Sequence, residues 1–221
     1  MGKLLSESWA MLRWDLKREW KEKNAIGSML VFLLSTLMVV YFALGTRLRP
    51  ELWTALFWIV LLFGTSGVVL RSFSSESKAK MLSIYSLVHP NVFILGRILH
   101  NAFNTLVLAL LCIVFFLLFY GIQIEKPMLF AGSAILGSLC MSTLLTFITS
   151  LAHRVKNPHI LSVILAFPIS IPILLSSIKM SLAATSVFVG ISVANLSLIL
   201  LALLVLVLSL SLLLFPYLWR E

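Results

Sequence analysis

Four histidines (His89, His100, His153 and His159) and two cysteines (Cys112 and Cys140) are the side chains of this chain best suited to bind a metal or attack a substrate. Their spacing supports neither role. No HExxH run or other compact metal spacing occurs. No CxxC or CxxCH pairs the thiols for redox work or haem attachment. Each cysteine stands alone inside an apolar run, where a free thiol behaves as a small apolar side chain. Phosphate chemistry is no better served. Gly132 and Gly137 have the separation of a phosphate loop, but Ser138 stands where that motif requires lysine. There is no GxSxG, no paired carboxylate and no intramembrane acid of the kind that proton-coupled carriers need. A membrane enzyme would have no catalysts to work with.

The stretch equipped for recognition is residues 71–90, RSFSSESKAKMLSIYSLVHP, the longest polar excursion in an oily sequence. Nineteen uncharged residues, 52–70, precede it, and no charged residue occurs from 98 to 124. A bilayer core needs roughly 20 apolar residues per helix, so this segment joins two spans. Arg71, Lys78 and Lys80 outnumber Glu76, the bias of a cytosolic loop. Ser77 can cap a short helix over residues 78–87. Met81, Leu82 and Tyr85 then form an apolar ridge, with Glu76, Lys78 and Lys80 at its polar rim. The segment reads either as a handle gripped by another protein or as a solvated loop that only orients the spans.

The rest of the chain exists to hold that handle in a membrane. Of its 221 residues 61% are hydrophobic, and mean hydropathy is +1.08. A soluble domain is about 45–50% apolar. The net charge of +9 sits at the ends of apolar runs. It therefore reflects topology and anionic lipid rather than nucleic acid. No cleavable signal pattern is present, because the first apolar run is span-length and follows a long charged segment.

Residues 4–22 read as an amphipathic helix. Leu5, Trp9, Leu12, Leu16 and Trp20 recur along one stripe, and Arg13, Lys17, Arg18 and Lys21 lie off it. Tryptophan with basic residues suits a helix lying on the interface, and packing on a partner protein is the alternative. Spans are expected at about 25–45, 52–70, 98–122, 128–151, 159–178 and 196–215, with Trp53 as an interface anchor. His100, Asn101 and Asn104 make the first turns of the third span polar. Ala134, Ser138 and Ser142 repeat every four residues in the fourth, which lets helix backbones approach closely in lipid. Pro168 and Pro172 stack on one face of the fifth span. Each removes a backbone hydrogen bond, giving either a moving bend or a static kink.

From 180 to 219 runs a stretch of 40 uncharged residues, too long for one helix. The preferred reading is a short re-entrant piece near 181–193, with Gly190 and Asn195 as breaks, before the last span. A seventh span is the alternative. Six spans with both ends inside put 13 of the 17 Lys and Arg in inside segments and four in outside loops. Arg97 is counted there with the inside loop and Lys179 with an outside one. The fold class is thus all-α: a polytopic membrane protein with six transmembrane helices, an N-terminal interfacial helix and a re-entrant segment.

Five stretches carry a family resemblance: WDLKREW at 14–20, ALFWIVLLFG at 55–64, SFSSESKAKMLSIYSLVHP at 72–90, FPISIPILL at 167–175 and LLFPYLWRE at 213–221. In them the chain resembles CcmB, the permease subunit of the haem-exporter ABC complex of cytochrome c maturation. The resemblance covers nearly the whole chain. It implies a single ABC exporter transmembrane domain over 1–221 in a bacterial inner membrane, both termini cytosolic, with residues 74–90 as the ATPase-coupling segment. It implies an ABC ATPase of the CcmA type, a CcmC-like haem-handling membrane subunit, a small single-span subunit and a haem chaperone, and it leaves a homodimer open. It implies no cofactor held by this chain, haem as candidate substrate and ATP at the partner subunit. ATP would drive release of haem-loaded chaperone. No tryptophan-rich WWD-type haem motif occurs, so the chain is not expected to present haem. An exporter half for a polysaccharide, lipid or drug, and a non-transporting assembly scaffold, are the competing readings.

Overall fold

The computed structural model describes residues 24–45, 48–74, 89–121, 124–152, 158–185 and 192–219, together with Arg13 and Gly190. Among them the chain forms six helices and no strand: α1 Asn24–Leu44, α2 Pro50–Ser74, α3 Pro90–Tyr120, α4 Pro127–Ala152, α5 Pro158–Ala184 and α6 Val193–Trp219. All six are long and apolar enough to cross a bilayer.

Local chemistry sets their ends. Pro50, Pro90, Pro127 and Pro158 each open a helix, where the missing N–H costs nothing and the ring pre-sets φ. His89 precedes α3 in an extended conformation, and its ring accepts from the Asn91 N–H. α1 and α3 run into Gly45 and Gly121, both at φ +76°, a left-handed turn glycine adopts without strain. Their N–H groups donate back to the carbonyls of Tyr41 and Leu117. Ala184, at the end of α5, accepts from both Glu125 and Lys126, which tethers the α3–α4 connection to α5.

α4 is the hub. Residues 141–150 are all buried, and the helix packs on α2, α3, α5 and α6. Ala134, Ser138 and Ser142 are buried as a small-residue face should be. Gly137 goes further: a Cβ there would collide with the Trp58 indole and the Ser177 hydroxyl. Trp58 is pinned by its Nε1–H donating to Ser181 Oγ at 2.8 Å, and that oxygen lies 2.9 Å from Ser133 Oγ. One hydrogen-bonded junction therefore ties α2, α4 and α5. α1 and α6 lie at the edge, largely exposed, as lipid-facing helices do.

Several expectations need correction. Trp53 is no interface anchor. It is fully buried and stacked on Phe57 (6.0 Å, 4°), with Phe116 and Phe130 closing the cluster at 5.4 and 5.5 Å. α3 begins eight residues before the expected start at 98, so Arg97 is helical rather than part of a loop. His100, Asn101 and Asn104 consequently lie in its third and fourth turns, all buried. Residues 181–184 continue α5, and Lys179 is half-buried within that helix rather than in a loop. Gly190 does sit at a break, with φ +72°. Asn195 does not, because it occupies the first turn of α6, where its N–H donates to Ser192. The eight residues 185–192 are too few to span.

Candidate functional site

Of the side chains singled out from sequence, Pro168 and Pro172 lie among the described residues. The coupling residues Glu76, Lys78, Met81, Leu82 and Tyr85 lie outside them, as do Trp9, Leu12, Leu16 and Trp20 of the N-terminal helix. Both prolines are inside α5 and exposed. They share that outer face with Phe167, Ile171 and Leu175, while Ser162, Ala166, Ser170, Ile173 and Ser177 form the opposite, buried stripe. With no N–H, Pro168 and Pro172 cannot bond the carbonyls of Ile164 and Pro168, one turn earlier. The Ser170 hydroxyl donates to the Phe167 carbonyl at 2.8 Å, not to either carbonyl that the prolines leave open.

Beside this stretch α2, α4 and α5 enclose a groove of about 280 Å³. It is lined by Phe63, Ser66 and Gly67 from α2, Leu145 and Thr149 from α4, and Ser162, Ala166, Phe167 and Ser170 from α5. Phe63 and Phe167, both exposed, meet at its outer edge 6.3 Å apart. Among the described residues no charged side chain lines it, and neither histidine, cysteine nor methionine does, so these residues offer no soft or nitrogen ligand for an iron. The Ser66 hydroxyl, like that of Ser170, donates to its own helix. The groove thus suits apolar contact rather than polar recognition.

A polar cluster occupies the end of the bundle formed by the last turn of α2 and the first turns of α3. Arg71, in the last turn of α2, bonds Ser28 of α1. Arg97 of α3 is 1% exposed and donates to the Ser72 carbonyl at 3.1 Å. One turn further along, Asn104 and His100 are in contact at 3.2 Å, and Asn101 donates to Thr146 of α4 at 2.9 Å. Sequence reading missed Arg97 because a charge beside a polar loop looks like part of it. The signal was present in the seven apolar-rich residues 90–96 before it, which continue a helical pattern from Pro90. Cys112 and Cys140 are buried free thiols, as expected, and Cys140 Sγ bonds the Leu200 carbonyl across to α6.

Six helices of span length around a buried hub define a polytopic all-α membrane protein. The family model described as CcmB protein matches residues 6–218, and the chain belongs to that family. It is accordingly a multi-pass permease subunit of an ABC haem-export system in cytochrome c biogenesis. Comparison with curated proteins finds no match.

Proposed function

We propose that this chain couples ATP hydrolysis by a separate subunit to release of a haem-loaded chaperone in cytochrome c maturation. The observation that carries the reading is the family match over residues 6–218, which takes in all six spans. The partners are a CcmA-like ATPase, a CcmC-like membrane subunit, a small single-span subunit and the chaperone. A homodimer of this chain would supply two docking sites for the ATPase. ATP acts at that partner, and haem is handled as substrate rather than held as a cofactor. The apolar groove, whose described lining residues include no candidate iron ligand, supports release driven from this subunit over ligation of haem within it.

Orientation follows from charge: both termini face the cytosol of a bacterial inner membrane, and the ATPase grips the segment between α2 and α3. The same apolar groove favours one competing reading, an exporter half for a lipid or drug. A single experiment separates them. The complex is purified with its ATPase, placed in vesicles and loaded with haem-bound chaperone. ATP-dependent release of chaperone is expected, and its absence, with lipid or drug movement in its place, would transfer the assignment.

A further inference from the structure

Arg97 is among the largest fully buried side chains of the protein. It sits seven residues into α3, about 10 Å along the axis. A guanidinium held away from water is costly unless its donors are met, and an ionisable side chain retained in a span points to function. Its surroundings are specific. The Ser72 carbonyl it bonds is one of the last four of α2, which have no partner within that helix. Arg97 therefore caps the negative end of α2 from the neighbouring helix. Its guanidinium carbon lies 5.8 Å from the centroid of Phe73 and 5.4 Å from that of Phe93, within cation–π range of both rings. Phe93 is stacked in turn on Phe215 of α6 (5.9 Å, 12°). Phe93, Ile94, Ile98 and Phe215 form an apolar cluster separate from the main core.

We propose that Arg97 is a positioning residue that transmits displacement of the C-terminal end of α2 to α6, through Phe93 and Phe215. The inference rests on the reading of this chain as an ABC permease, in which force enters between α2 and α3. α2 and α6 both pack on α3, α4 and α5, and the Arg97–Phe93–Phe215 contacts are the route through α3. Arg71 makes the outward counterpart, tying the same helix end to α1 through Ser28. The end of α2 is thus held on two sides, and the inner hold is the one that continues to another helix.

The test uses the whole complex with its ATPase in lipid nanodiscs. Spin labels replace the exposed Val31 of α1 and Leu213 of α6, with Cys112 and Cys140 changed to alanine. The α1–α6 distance is measured with and without trapped ATP in four backgrounds: otherwise unchanged, Arg97→Gln, Phe215→Leu and the double variant. The unchanged protein should show a nucleotide-dependent shift. Arg97→Gln should retain ATPase binding and basal hydrolysis, lose the shift, and release chaperone at least tenfold more slowly. Phe215→Leu, which leaves the Ser72 bond intact, should also lose the shift. The double variant should be no worse than Arg97→Gln alone, because both changes break one path. A shift that persists in Arg97→Gln, or losses that multiply in the double variant, would overturn the relay. So would the lack of any shift in the unchanged protein. If Arg97→Gln fails to assemble, Phe215→Leu decides alone: a retained shift refutes the proposal. A normal shift without ATP-driven chaperone release would instead refute the haem reading and leave the relay standing.

Discussion

Gly137→Ala is the sharpest test of the packing at the hub. The new Cβ would meet the benzo ring of Trp58 and the Ser177 hydroxyl. Trp58 cannot yield easily, because it is completely buried and held by its bond to Ser181. Overpacking of this kind costs roughly 1–3 kcal/mol. Moving the indole enough to relieve the clash also breaks the Trp58–Ser181 hydrogen bond, worth about 1 kcal/mol. Against this stands the helix preference of alanine over glycine, also about 1 kcal/mol. The two smaller effects cancel, leaving a net destabilisation of roughly 1–3 kcal/mol. Gly132→Ala is the internal control, since its Cβ would enter open space on the same helix. It should be neutral or slightly stabilising. The assay is thermal or denaturant unfolding of both variants in the same detergent, followed by tryptophan fluorescence. Trp58→Phe in the Gly137→Ala background should recover part of the loss, because the colliding ring atoms are gone. Equal stability of the two alanine variants, or a purely additive double variant, would refute the account of α4 as a closely packed hub.

Four further outcomes are expected. A periplasm-active reporter fused after Glu221 should stay silent; activity there would reject cytosolic termini. Replacing Trp9, Leu12 and Leu16 together by serine should lower accumulation in the membrane, each buried side chain being worth roughly 1.5–3 kcal/mol, and unchanged accumulation and activity would make the stripe incidental. Changing Pro168 and Pro172 to alanine restores two backbone donors and should raise thermal stability while ATP hydrolysis continues and chaperone release falls; full release would make the bend static. Tyr85→Ala or Leu82→Asp should weaken capture of the ATPase by about 30-fold or more, as loss of a buried anchor does, whereas Lys78→Ala should have a mild effect. Pull-down of the ATPase with each variant checks this, and full binding by the ridge variants would move the handle elsewhere.

The spans were legible because charge-free runs of span length have one stable solution in lipid, a helix that satisfies its own backbone. Their ends were less legible. Charges were taken as helix boundaries, whereas proline at the first helical position set four of the six starts. Trp53 was misplaced for a related reason. Tryptophan near a span end suits the interface, but Phe116 and Phe130 arrive from other helices and enclose it, which no local pattern reveals. The paired prolines were visible as a motif. The groove beside them was not, because three helices distant in sequence build it. Asn101 was read as a polar first turn, yet its partner Thr146 lies 45 residues away. Polar residues within spans are expected to bond across helices, so its depth was open to inference even though its partner was not.

Arg97 and Lys179 bear on orientation as well as on mechanism. Counting positive charge assumes that each Lys and Arg reports the side of a loop. Both residues lie more than one turn inside a helix, unlike Arg71 in the last turn of α2, so neither belongs in that count. Removing Arg97 from the inside and Lys179 from the outside leaves twelve charges against three. The bias that supports cytosolic termini survives and becomes slightly steeper. Arg97 is released from a topological role by the same step. The side chain is buried, bonds the carbonyl of Ser72 and lies against two aromatic rings, and nothing about insertion requires those contacts. At 31 residues, about 46 Å, α3 exceeds the roughly 30 Å apolar core, and Arg97 lies about 10 Å from its N-terminal end. Arginine at that depth could reach water by extending outward. Here it turns inward instead and binds the end of α2, which is the geometry a coupling residue needs and a topogenic one does not.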